Sequence, residues 1–203
     1  PISKGHLGQI KKALQQLINA ERPLILVGGG VISANASELL QRFASELGVP
    51  VNSTLMGLGS IKSGDKKFLG MVGMHGTYEA NMAMQNCDCL VAIGARFDDR
   101  VVGLPSNFAQ PGRKIIHIDV DPSTISKRVK VDIPIVGDVK VVLADMLNLL
   151  DEIPERPDAE KMAAWQNKID EWRKIDCLHY EKSDKVIKPQ EVLEKLQEVA
   201  GPD

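Results

Sequence analysis

The sequence predicts an α/β protein: a doubly wound, mainly parallel sheet with a helical extension at its C-terminal end. Three observations predict this class. Five strand-like runs lie at 24–27, 49–52, 90–93, 114–119 and 133–136, and those at 24–27 and 90–93 are unbroken apolar stretches with the pattern of strands buried on both faces. Amphipathic helical patterns lie between them, in the β-α order that builds a parallel sheet. Glycine-rich or charged turns follow the runs, on the side where ligands of open α/β sheets sit, past the carboxyl ends of strands.

In chain order, residues 5–20 form an amphipathic helix, with Ile10, Ala13, Leu14, Leu17 and Ile18 at helical spacing, ended by Arg22-Pro23. The run at 24–27 enters Gly28-Gly29-Gly30, and a helix is expected over 34–47. A strand, a glycine cluster and a helix frame a phosphate-binding turn, or a tight strand-to-helix connection and nothing more. The strict dinucleotide fingerprint fails, because Ser33 stands where the third glycine would be. The second run ends in Asn52-Ser53, without the acidic residue of an NAD site. A loop follows (Ser53-Thr54-Leu55-Met56-Gly57-Leu58-Gly59-Ser60), then a short apolar segment over 68–73. Thr77 is placed to cap a helix leading to the run at 90–93. Met56, Met71 and Met74 lie in or near these loops. They fill core gaps on one reading and pack against a flat ring on the other. His75 fits a hydrogen-bonded structural residue better than a catalytic base.

At Gly94 the character changes from apolar to small and then charged: Arg96, Asp98, Asp99 and Arg100. Arginine offers a planar fork of donors to phosphate or carboxylate, and a solvated Arg–Asp loop is the competing reading. A glycine- and proline-punctuated connection covers 103–112. Asp119 ends its strand, where a carboxylate can accept from both ribose hydroxyls. Asp121 or Ser123 could instead cap the turn after Pro122. Asp138 fits a helix cap for 139–150 better than a ligand contact. Residues 152–158 form a linker. Residues 159–180 form a polar helix with the stripe Met162, Trp165, Ile169, Trp172, Ile175, expected to lie on the sheet or on a neighbouring domain. Pro189 opens the last helix, with Val192, Leu193, Leu196 and Val199 on one side.

Composition excludes several classes. Net charge is −2 and aromatic content 4%, which argues against a nucleic-acid surface, and no apolar run reaches the length of a membrane span. The three cysteines (Cys87, Cys89, Cys177) have no C-x-x-C spacing and form no ligand-spaced set with the histidines. This suggests a reducing, cytoplasmic setting and no metal site. There is no initiator Met, and the chain stops just after a helical pattern, so a piece of a longer polypeptide is expected.

Taken together, the segments resemble one family. They are V-G-G-G at 27–30, S-T-L-M-G-L-G at 53–59, G-M-H-G-T-Y-E-A-N at 73–81, G-A-R-F-D-D-R at 94–100, H-I-D-V-D-P at 117–122 and D-I-P-I-V-G-D at 132–138. Each is weak alone; in this order they are specific. They look like the central, Rossmann-like domain of the large catalytic subunit of acetohydroxyacid (acetolactate) synthase. The resemblance implies that this domain binds FAD, which performs no net redox. The full-length enzyme holds thiamine diphosphate and Mg2+ in its outer domains. There it joins two pyruvates, or pyruvate and 2-oxobutanoate, with loss of CO2, in branched-chain amino-acid synthesis.

Carried over by position, the resemblance assigns FAD contacts to Gly28, Gly29, Gly30, Thr54, Leu55, Met74, His75, Gly76, Gly94, Ala95, Arg96, Asp98, Asp119, Val120 and Asp138. Asp119 would hold the adenosine ribose and Asp138 would lie near the adenine. Arg100 would clamp the carboxylate of the second oxo acid, with Met74 and Asp99 close to that channel. The resemblance divides the chain into the central domain (1–183, including the 159–180 linker helix) and the start of the thiamine-diphosphate-binding domain (184–203). The implied partners are the other domains of the same large subunit, further large subunits in a dimer or tetramer, a regulatory small subunit and 2-oxo acid substrates. The thiamine diphosphate motif and the glutamate that activates thiamine are absent, so these residues alone are expected to be inactive. An ADP- or NAD-binding module and a non-catalytic scaffold are the alternatives.

Overall fold

A computed structural model describes residues 4–103, 108 and 110–201. The termini and part of the 103–112 connection, both singled out in the sequence, lie outside the described residues. The elements are α1 (Leu7–Ile18), β1 (Pro23–Val27), α2 (Gly29–Ser33), α3 (Ser37–Leu47), β2 (Val51–Ser53), a 3-10 turn (Leu55–Gly57), β3 (Phe68–Met71), α4 (Tyr78–Asn86), β4 (Cys89–Ile93), α5 (Asp99–Val102), β5 (Lys114–Asp119), β6 (Ile133–Val136), α6 (Val139–Glu152), α7 (Ala159–Arg173) and α8 (Pro189–Ala200).

The strands form one six-stranded sheet in the order β3-β2-β1-β4-β5-β6, parallel at every pairing. Successive side chains of a strand point to opposite faces, and the core divides accordingly. Ile25, Val27, Cys89, Val91, Ile93, Ile116 and Ile118 pack with α1, α3 and α6 on one face. Leu24, Leu26, Leu90, Ala92 and Ile115 pack with α4 and α7 on the other. The order of strands reverses between β1 and β4, which pair from Pro23↔Cys89 to Val27↔Ile93. That reversal is the switch point where such sheets open a crevice for ligands.

The structure adds a strand and a short helix. The apolar segment at 68–73 is the edge strand β3, so the sheet has six strands rather than five. Gly70 at φ 103° interrupts its side-chain alternation, and its register against β2 shifts between Val51 and Asn52; both hide its period from the sequence. The helix expected over 34–47 is α3, which starts at Ser37; a separate short helix, α2, already forms over the glycine cluster at Gly29–Ser33, and Asn35 at φ 50° lies between the two. Gly48 at φ 66° closes α3 in the left-handed conformation.

The stripe of α7 lies on the sheet. Trp165, Ile169 and Trp172 are buried in the second core, and the Trp165 indole N–H donates to the Pro23 carbonyl at 3.0 Å. The helix stops at Arg173 rather than near 180, and Asp176 takes φ 47° beyond it. That leaves Ile175 exposed. Helix α8 buries none of its residues among those described.

Candidate functional site

The site is built where β1 and β4 end together. Past Val27, the Gly28 N–H donates to the Ile93 carbonyl (3.0 Å) and the Gly30 N–H to the Gly94 carbonyl (3.1 Å). Past Ile93, the Gly94 N–H donates to the Ile118 carbonyl at 2.8 Å. The turns after the two strands therefore lie backbone against backbone. A Cβ on Gly28 would overlap the Gly94 carbonyl oxygen, and one on Gly30 would sit 2.7 Å from the Gly94 Cα. These glycines are required by contact between the two turns, and the amides of Gly28 and Gly30 are already used inside the protein.

A cavity of about 950 Å³ opens on this junction. Its walls include Gly28, Gly29, Gly30, Thr54, Leu55, Met74, His75, Gly94, Ala95, Arg96, Asp98 and Arg100, all singled out in the sequence. Gly76, Asp119, Val120 and Asp138 are not among the lining residues. Gly76 is instead packed onto the backbone of Met71 and Val72. The Asp138 carboxylate caps α6, accepting the N–H groups of Lys140 (2.9 Å) and Val141 (3.2 Å). Asp119 is buried at the end of β5, where its Oδ1 accepts the Asp121 N–H at 2.9 Å. Val120 is exposed. Gln85 on α4 lines the cavity without having been singled out, because no motif marks one glutamine on a helix face.

Local chemistry shapes each wall. The loop carrying Met74 and His75 is held by Asn81, whose amide donates to the Gly73 carbonyl and accepts the Gly73 N–H, both at 2.9 Å. Thr77 caps α4 by accepting from the Ala80 N–H. On the opposite wall, Phe97 takes the left-handed φ of 48° and buries its ring edge-on against Phe108 and His117. Asp98 precedes α5 but makes no side-chain cap. Its Oδ1 is buried without a hydrogen-bond partner among the described residues. Neither Arg96 nor Arg100 forms an ion pair with a described residue.

The apolar wall is exposed to an unusual degree: Leu55 is 67%, Met56 72% and Met74 84% accessible. Two guanidinium groups without an ion-pair partner among the described residues, an acceptor unsatisfied among them and bare apolar side chains can receive a ligand with an anionic part, a hydrogen-bond donor and a flat apolar body.

Cys87 and Cys89 are buried structural thiols, and burial pushes the Cys87 thiol up to about 11. Among the described residues, no group of three or more His, Cys, Asp or Glu side chains could hold a metal ion. No helix among them is long and apolar enough to cross a membrane.

Residues 10–146 match the family described as thiamine pyrophosphate enzyme, central domain. The chain is 50% identical over 198 residues to an acetolactate synthase large subunit of Haemophilus influenzae, covering 97% of this chain and 34% of that protein. It is 45% identical over 196 residues to the acetolactate synthase isozyme 3 large subunit of Escherichia coli (97% and 34% covered). To a probable acetolactate synthase large subunit of Methanocaldococcus jannaschii it is 49% identical over 199 residues (98% and 33% covered). The chain spans about a third of the length of the curated relatives it matches.

Proposed function

The chain belongs to the thiamine pyrophosphate enzyme central-domain family, and from that premise we propose that it is the FAD-binding central domain of an acetolactate synthase large subunit. The observation that carries the FAD reading is the cavity at the β1/β4 switch point. It combines arginines and a carboxylate oxygen that have no partner among the described residues with exposed apolar side chains, at one strand-end junction. These residues fit FAD. Leu55, Met56 and Met74 offer apolar surface to the isoalloxazine, and Arg96 offers its fork to the pyrophosphate. Asp98 accepts a flavin N–H or a ribityl hydroxyl. Asp119 lies one residue beyond Ile118, whose carbonyl holds Gly94, and would hold the adenosine ribose. Gly28 and Gly30 bring the strand ends together rather than donating to phosphate.

When bound, FAD supplies a large planar body in this reading and no net redox. Arg100, exposed on the cavity wall, holds the carboxylate of the second 2-oxo acid. Thiamine diphosphate and Mg2+ belong to other domains of the whole protein, which joins two 2-oxo acids to acetolactate or acetohydroxybutyrate. Residues 184–203 begin the following domain. The support is that α8 leaves Val192, Leu193, Leu196 and Val199 exposed, the face it would bury there. Its partners are the other domains, further large subunits and a regulatory small subunit, in the cytoplasm.

Flavin fluorescence titration of the protein at its natural length tests this. FAD is expected to bind, with ADP competing for the adenosine end. Asp119→Ala is expected to weaken FAD by about 1–3 kcal/mol through lost ribose hydrogen bonds. ADP binding without flavin binding would replace this reading by that of a nucleotide module. Unchanged affinity in Asp119→Ala would remove Asp119 from the site.

A further inference from the structure

His117 is fully buried in the middle of β5, opposite Ala92 on one neighbouring strand and Pro134 on the other. Neither ring nitrogen has a hydrogen-bond partner among the described residues. Burial pushes its pKa down, against the pull of Asp119 and of the Ala95 backbone, which favours the neutral imidazole, with one N–H and one lone pair. An unpaired polar group at such a position is expensive, and apolar side chains would fill a central strand more cheaply.

Its surroundings suggest what the ring is for. Alternation along β5 puts His117 and Asp119 on the same face. The His117 Nε2 lies 3.8 Å from the Asp119 Oδ2, about 1 Å longer than a hydrogen bond. The buried Phe97 packs edge-on against the ring, with ring centroids 5.1 Å apart.

We propose that His117 is a positioning residue for Asp119: with an adenosine ribose in place, its Nε2–H closes the present 3.8 Å gap to Oδ2 and fixes the carboxylate to receive the two ribose hydroxyls. The donor count supports the assignment. A carboxylate offers about four lone-pair sites. The Asp121 N–H occupies one on Oδ1, and His117 takes one on Oδ2 when the 3.8 Å gap closes. The two left over match a vicinal diol. Without His117 the bound state would keep the Asp121 N–H as its anchor on the carboxylate, at Oδ1. The inference rests on the adenosine-ribose role of Asp119 proposed above.

Three ligands separate positioning from packing: FAD and ADP carry the adenosine ribose, and FMN does not. His117→Phe keeps the ring against Phe97 and removes both nitrogens. In the protein at its natural length it is expected to raise the Kd of FAD and of ADP about tenfold, leaving FMN within about twofold. His117→Gln, which retains an N–H at similar reach, is expected to restore most of the loss, and the shorter His117→Asn is not. The Gln and Asn pair supplies the same test should the Phe variant fail to fold. Equal weakening of FMN, or no change for any ligand, would overturn the proposal. A wild-type protein that binds ADP but not FAD would sink the flavin reading and leave His117 tested by ADP. Binding of neither would sink both.

Discussion

Gly94→Ala is expected to destabilise the protein by about 2–5 kcal/mol, and to abolish ligand binding in whatever fraction folds. Two effects add. Gly94 sits at φ 58°, where an L side chain costs about 1–2 kcal/mol. Its Cβ would also lie 2.6 Å from the Gly30 Cα, 3.0 Å from the Gly30 carbonyl carbon and 3.1 Å from the Gly30 nitrogen. All three are backbone atoms, so no flexible side chain can yield. Relief requires the turns after β1 and β4 to part, which breaks the Gly30-to-Gly94 hydrogen bond and displaces the cavity wall. Gly48→Ala is the control. Gly48 has a similar φ of 66° with nothing within 4 Å of its Cβ, so only the backbone cost of about 1–2 kcal/mol applies. Urea unfolding of both variants measures the difference. Equal losses would show that contact between the turns contributes nothing.

That pair of glycines also shows what the sequence could and could not carry. The buried runs at 24–27 and 90–93 read as strands because each is a short, unbroken apolar stretch ended by glycine, the length and pattern of a strand inside a parallel sheet, and their ends locate the cavity directly. The glycines after them were visible, but their reason was not. A phosphate cradle and a backbone-to-backbone contact demand the same absence of Cβ, and only the packing of Gly28 and Gly30 on Gly94 tells them apart. Thr77 and Asp138 were legible as caps because a cap is a local event, decided within three residues. Strand β3 was not, since an edge strand with a positive-φ glycine owes its existence to the neighbour it pairs with. His117 lay inside an apolar run that identified β5 equally well with or without it. Its unpaired nitrogens and its distance from Asp119 exist only once the sheet is formed.

Arg113→Ala is expected to cost about 3–5 kcal/mol, although no motif marks this residue and it has no acidic partner among the described residues. Arg113 is only 8% exposed. Its Nε donates to the Cys87 carbonyl at 3.1 Å, one Nη to the Phe108 carbonyl at 3.0 Å and the other to the Gln85 carbonyl at 2.6 Å. Its guanidinium lies 5.3 Å from the centre of the Phe108 ring. Gln85 is in the last turn of α4 and Cys87 is its C-cap, so two of the three acceptors are carbonyls that a helix end leaves unpaired. The negative end of the helix dipole supplies the compensation that a carboxylate would otherwise give. Removing the side chain leaves buried carbonyls without donors and loosens the end of α4, whose Gln85 forms part of the cavity wall. Arg113→Lys discriminates the causes. A lysine keeps the charge near the helix end but lacks the planar fork that reaches three carbonyls in different directions. It is therefore expected to recover less than half of the loss in denaturant unfolding. Full recovery by lysine would show that charge at the helix terminus matters and the fork does not.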